Sequence, residues 1–165
     1  MDDRKCYLCP RKCGTDRSEK TGACGEKNTA RIAKYYLHPF EEPVISGTKG
    51  SGTVFFCGCS LKCRFCQNYE LSRSERGKAV TARELSDIFR ELEDMGAHNI
   101  NLVTPTHFLP EIAEAVKIRQ PNVPIVYNTH GYELKENLEI ANKFVDVYLP
   151  DLKFFTPTAA MRYTG

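Results

Sequence analysis

The chain has 165 residues, 41% hydrophobic and 27% charged, with a formal net charge of +2. That length suits one domain able to bury a core. The near balance of charge gives nucleic acid no strong basic field and leaves no acidic solvating tail, and no apolar run approaches the ~18 residues of a membrane helix.

The first residues, Met1 to Cys6, carry charge where a signal peptide needs an apolar run, so a cytoplasmic location is expected. Eight cysteines in a reducing compartment point to metal rather than to disulfides. Residues 1–25 hold Cys6, Cys9, Cys13 and Cys24 among polar residues without periodicity, so their order is expected to come from a bound ion or cluster. Residues 26–52 offer a short apolar piece, Ile32 to Leu37, read as a strand or hairpin, then a loop rich in Pro and Gly.

From residue 53 strands alternate with helices. Thr53 to Phe56 is β-branched and aromatic, hence a strand. Thr81 to Met95 is a helix with Leu85, Ile88, Phe89, Leu92 and Met95 on one face, a Thr81/Glu84 capping box and Gly96 as its stop. A strand follows at Asn99 to Thr104, a helix within 107–119, a strand at Pro124 to Tyr127, a helix at Leu134 to Phe144, and a strand from Val145 to Leu149 running on to Phe155. This alternation predicts an α/β fold with a parallel sheet and right-handed crossovers.

In such sheets ligands gather at the C-terminal ends of the strands. The four expected strands run into Cys57-Gly58-Cys59, Thr104-Pro105-Thr106-His107, Asn128-Thr129-His130-Gly131 and Asp151-Leu152-Lys153. Four polar ends on one rim suggest a single site. His107 and His130, taken singly, read as hydrogen-bonded structural residues.

Cys59-x3-Cys63-x2-Cys66 is the most informative stretch. A structural zinc wants four protein ligands, whereas a [4Fe–4S] cube on three thiolates keeps one iron free. The spacing, with Phe65 before the last Cys, resembles the radical S-adenosylmethionine superfamily. The run from Gly50 to Glu70, Glu41-Glu42-Pro43 with Ile45-Ser46-Gly47, and Cys6-x2-Cys9-Pro10-Arg11-x-Cys13 resemble the branch of the pyruvate formate-lyase activating enzymes.

The resemblance implies a partial (β/α) barrel with four βα units present. Its domains would be a cysteine-rich metal-binding segment and loop at 1–52 and an incomplete barrel at 53–165. It implies an oxidoreductase whose [4Fe–4S] cluster on Cys59, Cys63 and Cys66 binds S-adenosylmethionine and cleaves it reductively to a 5′-deoxyadenosyl radical. Phe65 would lie near the adenine with Asn68 in the same loop. Asp151 and Lys153, with Asn128, would line the same site, the alternative for Asp151 and Lys153 being an ion pair at the barrel mouth. A flavodoxin or ferredoxin would donate electrons, and a protein glycine in a glycyl radical enzyme would be the substrate. No membrane or nucleic-acid partner is expected.

Cys57, two before the triplet, would share its face in a strand and could close the free iron; as a small buried hydrophobe it would not. Thr104-Pro105-Thr106-His107 stands where many relatives carry Gly-Gly-Glu. The four N-terminal cysteines suit either a structural zinc or a second cluster able to relay electrons. A complete barrel of this kind has six strands, so the chain is expected to be a truncated portion, or one piece of a split enzyme, that assembles a cluster but turns over poorly alone. Two further classes fit the cysteines: a zinc-binding interaction module, colourless, and an iron–sulfur electron carrier that ignores S-adenosylmethionine.

Overall fold

The computed structural model describes residues 4–73 and 76–165. Its strands are β1 (Ala30–His38), β2 (Ser51–Phe56), β3 (Lys78–Val80), β4 (Ile100–Val103), β5 (Ile125–Thr129) and β6 (Val147–Pro150). Its helices are α1 (Pro43–Ser46), α2 (Tyr69–Arg73), α3 (Ala82–Asp94), α4 (Leu109–Ile118), α5 (Lys135–Ala141) and α6 (Pro157–Thr164), with a 3₁₀ turn at Thr106–Phe108 leading into α4.

The strands form one six-stranded sheet in the order β3-β1-β2-β4-β5-β6. β2, β4, β5 and β6 run parallel, as the alternation of elements predicts for a partial β/α barrel. β1 is antiparallel to both β2 and β3. It is longer than the expected piece and extends the sheet on the side away from β6.

Side-chain alternation gives the sheet two faces. Val54 and Phe56, Ile100 and Leu102, and Ile125 and Tyr127 join Leu85, Phe89 and Leu92 of α3 and Ile112, Ala115 and Val116 of α4 in one core. Leu85, Phe89, Leu92 and Ile112 are fully enclosed, and each such side chain contributes about 1.5–3 kcal/mol of burial. The other face carries a row set by register: Lys34 opposite Phe55, Phe55 opposite Val103, Val103 opposite Asn128, and Asn128 opposite Leu149. That row lines a cavity.

α3 forms where its periodicity and caps require. Thr81 Oγ1 accepts from the Glu84 amide at 3.2 Å, and the Glu84 carboxylate accepts from the Thr81 amide at 2.8 Å. β6 stops at Pro150 rather than running to Phe155; the Asp151 amide makes one more bond to β5, to Thr129 O at 2.9 Å.

Backbone hydrogen bonds tie the N-terminal segment together. The Cys6 amide donates to Thr15 O and the Gly14 amide to Cys6 O, both at 3.0 Å, and Lys5 bridges Asp16, making a small hairpin. Arg17 is buried behind it, donating to Glu26 O at 3.3 Å and His107 O at 2.7 Å, also to Lys27 O, with its guanidinium 5.6 Å from the Phe108 ring centre.

Candidate metal centre

β2 delivers the chain to the cysteine loop through Gly58, which has φ +73°. A Cβ there would stand 2.5 Å from Glu26 Cγ and 2.7 Å from the Cys24 carbonyl oxygen, so only glycine fits. Because the chain leaves the strand at this residue, Cys57 and Cys59 do not follow the strand rule of a shared face. The Cys57 thiol is buried and donates to the Arg76 carbonyl at 3.2 Å. Cys59, Cys63 and Cys66 line a cavity of about 540 Å³, and no other cysteine is on its wall.

The loop has little regular structure of its own and is fastened from outside. The Cys59 amide donates to Cys24 O at 3.0 Å, the Lys62 amide to Thr164 O at 2.6 Å and the Arg64 amide to Tyr163 O at 2.9 Å. The Leu61 amide points at Cys59 Sγ from 3.4 Å, and Ser72 Oγ lies 3.5 Å from Cys66 Sγ. Burial pushes the Cys59 thiol up to about 11, with Cys63 and Cys66 adding to the rise and the Leu61 amide opposing it. Burial also raises Cys63, opposed by the Lys153 ammonium. Among the described residues no three His, Cys, Asp or Glu side chains gather closely enough to hold a single metal ion.

Every residue predicted to face the cofactor stands on the same wall: Phe65, Asn68, Asn128, Asp151 and Lys153. Phe65 is half exposed and meets Phe154 edge-on at 5.6 Å, while Phe154 stacks on Tyr163. Lys153 Nζ donates to Asp151 Oδ2 at 2.6 Å, so the two form an ion pair on the cavity wall. Thr104, also on the wall, holds φ +58°, a strained conformation for a β-branched residue.

The two histidines are hydrogen-bonded and buried. His107 Nε2–H donates to the Cys57 carbonyl at 2.7 Å, away from the cavity, and burial holds the ring down to about 3, hence neutral. His130 lies on the wall, but its ring is engaged: the Tyr132 amide donates to Nδ1 at 3.1 Å, so Nε2–H points to Ser60 Oγ at 2.9 Å. Burial lowers it to about 4.

Sequence reasoning missed the opposite wall. Lys34, Tyr36 and His38 of β1 line the cavity with Glu41 from the following loop. Lys34 Nζ sits 4.8 Å from the Phe55 ring centre, and burial raises the Glu41 carboxyl against the pull of His38 at 4.0 Å. Their i, i+2, i+4 spacing was the available signal. The bracing by α6 left no such signal.

The N-terminal cysteines form a second group beside the loop. The Cys6 thiol neighbours those of Cys9, Cys13 and Cys24. Cys9 and Cys24 are buried and raised chiefly by that burial, while Cys13 is exposed.

Three thiols on one wall, with no fourth, fit a cluster held at three corners, and comparison with known proteins agrees. Residues 53–163 match the profile of the Radical SAM superfamily. This chain belongs to that superfamily, whose members are generally enzymes and whose domain implies a [4Fe–4S] cluster and S-adenosylmethionine. It is 32% identical over 160 residues to "Uncharacterized protein MJ0674" of Methanocaldococcus jannaschii, covering 92% of this chain and 46% of that relative. The chain thus spans about half the length of the curated relative it matches. Among the described residues no helix is long and apolar enough to cross a membrane.

Proposed function

We propose that Cys59, Cys63 and Cys66 hold a [4Fe–4S] cluster with one iron left for S-adenosylmethionine, in a cytoplasmic activating enzyme that generates a radical on a protein substrate. When bound, the pair supplies one-electron cleavage of the sulfonium to a 5′-deoxyadenosyl radical. The observation that carries this reading is the cavity wall, which bears three cysteines and no fourth while the Cys57 thiol is engaged with Arg76 O.

The chain's own residues then have separable tasks. Phe65 offers an exposed aromatic face for the adenine, with Asn68 in the same loop to hydrogen-bond its edge. Asn128, Asp151 and Lys153 stand at two neighbouring strand ends, where an amide and a charge pair can hold ribose hydroxyls and the methionine carboxylate. A glycine in a glycyl radical enzyme is the proposed substrate and a flavodoxin or ferredoxin the proposed donor, both resting on the resemblance of residues 41–70 to activating enzymes.

The test is anaerobic reconstitution followed by electron paramagnetic resonance of the reduced protein with and without S-adenosylmethionine, and assay of 5′-deoxyadenosine. The signal is expected to shift on adding S-adenosylmethionine. C59A, C63A and C66A are expected to lose this cluster, and C57A to keep it. Zinc alone at the loop, or a reduced cluster indifferent to S-adenosylmethionine, would overturn the reading.

A further inference from the structure

The cavity reaches from the cysteine loop toward the opposite end of the sheet. β1 is antiparallel to β2, so His38 pairs with Ser51, where β2 begins, while the cysteine loop leaves the other end of β2. Lys34, Tyr36 and His38 therefore descend the wall in that order, and Glu41 follows them at its floor. The cysteine end has its assigned residues; the floor has none.

Glu41 is fastened in place. Its amide donates to Ser46 Oγ at 2.9 Å, and α1, which carries Ser46, is pinned in turn: Asn99 Nδ2 donates to Ile45 O at 2.7 Å, and Ser51 Oγ to Asn99 Oδ1 at 2.6 Å. The Glu41 side chain is only 15% exposed, and no lysine or arginine is in ion-pair contact with it among the described residues. His38 Nε2 stands 4.0 Å from its carboxylate, beyond a hydrogen bond. Burial raises the carboxyl, and the charges of Glu42 and Asp151 push the same way. A carboxylate so placed is costly until a cation meets it.

A second observation points to a ligand here. Asn101 is completely enclosed, yet among the described residues neither its Oδ1 nor its Nδ2 has a hydrogen-bond partner. It pairs with Thr53 and stands two residues before Val103, so it faces the cavity side of the sheet, and its amide adjoins the Glu41 carboxyl. His38 Nδ1 is enclosed and unpartnered in the same way. A carboxylate, an amide oxygen and an imidazole nitrogen close to one another are completed by a group with several N–H donors. The rings of Tyr36, Phe40 and Phe55 share this wall, and Lys34 Nζ, 5.3 Å from the Tyr36 centre and 4.8 Å from that of Phe55, shows that their faces accept a cation.

We propose that Glu41, with Asn101 and His38, forms a subsite that seats a protonated amine of the substrate at the end of the cavity opposite the cysteines. The ammonium donates to the Glu41 carboxylate, with the Asn101 amide behind it, and the rings of Tyr36 and Phe40 flank the alkyl chain that carries it. The amine is that of a side chain in a protein or of a free molecule. That the occupant is the substrate rests on the proposed function; the subsite itself rests on the floor of the cavity alone.

The experiment titrates the reconstituted, oxygen-free protein with n-butylammonium, butyrate and n-butanol, followed by saturation-transfer nuclear magnetic resonance. Butylammonium is expected to bind at least about tenfold more tightly than the other two, and E41Q to lose about that factor, while E114Q, at an exposed glutamate of α4, leaves it unchanged. Equal binding of butyrate, or full binding by E41Q, overturns the subsite. Should E41Q fail to fold, the unaltered chain decides: Overhauser contacts from the butyl chain to the Tyr36 and His38 rings support the subsite, and contacts only elsewhere refute it. Displacement of butylammonium by S-adenosylmethionine would hand Glu41 to the cofactor and overturn a substrate role. Acetyl-Gly-Lys-Gly amide is expected to compete with butylammonium, as a protein substrate requires; its exclusion would make the amine a free molecule and fault the protein substrate, with the subsite standing. Butylammonium binding in a protein whose reduced cluster ignores S-adenosylmethionine would fault the strand-end site instead.

Discussion

His107 shows how a single buried ring secures the site from behind. Its Nε2–H satisfies the Cys57 carbonyl, and its Nδ1 has no partner. Replacing it as H107F leaves that carbonyl bare, with an expected loss of about 1–3 kcal/mol, read from urea unfolding of the metal-free chain. The pH dependence has a definite sign. Burial, reinforced by the Arg17 charge, holds the folded pKa near 3, against 6.5 for the free side chain. The neutral ring's contribution is complete above pH ~6.5, and it drains away as pH falls toward 3, because the unfolded chain takes the proton first. The variant is expected to lose part of that acid slope, with His130, also lowered by burial, contributing to what remains; an unchanged slope would contradict this. At this scale the cysteines were readable because three thiols in eight residues have few uses, and Asn128, Asp151 and Lys153 because strand ends place them. Arg17 was not readable: one cation in a polar stretch reveals burial only once the chain has folded over it.

Among the elements, β2 is closely packed at Gly52. A Cβ on Gly52 would lie 2.7 Å from Asn99 O, 2.8 Å from Ala97 Cβ and 3.2 Å from Leu92 Cβ. G52A is therefore expected to push β2 away from the α3–β4 connection, losing about 1–3 kcal/mol, and to lower iron retention, since β2 aims the cysteine loop. A thermal unfolding midpoint equal to the parent's would rule this out. α3 was legible because thirteen residues repeat one apolar face between recognisable caps. β3, with three residues of which two are exposed, and α2, with five, are too short for any period to show. β1 was half legible: its apolar centre stood out, but its cavity-facing Lys34, Tyr36 and His38 reads as ordinary polar alternation until the sheet gives it a second neighbour.

For the whole molecule, the eight thiols are not equivalent before metal arrives. At Cys13 burial pushes upward, yet the amides of Ala23 and Thr15 outweigh it and bring the thiol below its ordinary range, whereas Cys59 is pushed up to about 11. Alkylation follows the thiolate and its exposure. Timed iodoacetamide labelling of the metal-free chain at pH 8, read by peptide mass, is expected to mark Cys13 first and Cys59 among the last. Equal rates would show that the metal-free fold does not hold these environments. The fold class was legible from the order of elements alone, because strands and helices that alternate at this spacing have few arrangements open to them.

The grip of α6 on the cysteine loop has one more consequence. The amides of Lys62 and Arg64 lie in a stretch outside any helix or strand, yet both end on carbonyls about a hundred residues away, at Thr164 and Tyr163. Solvent deuterium reaches such hydrogens only when the two distant pieces of chain part. The slowness of those two positions would thus clock how often the mouth of the barrel springs open, with no cofactor needed to see it.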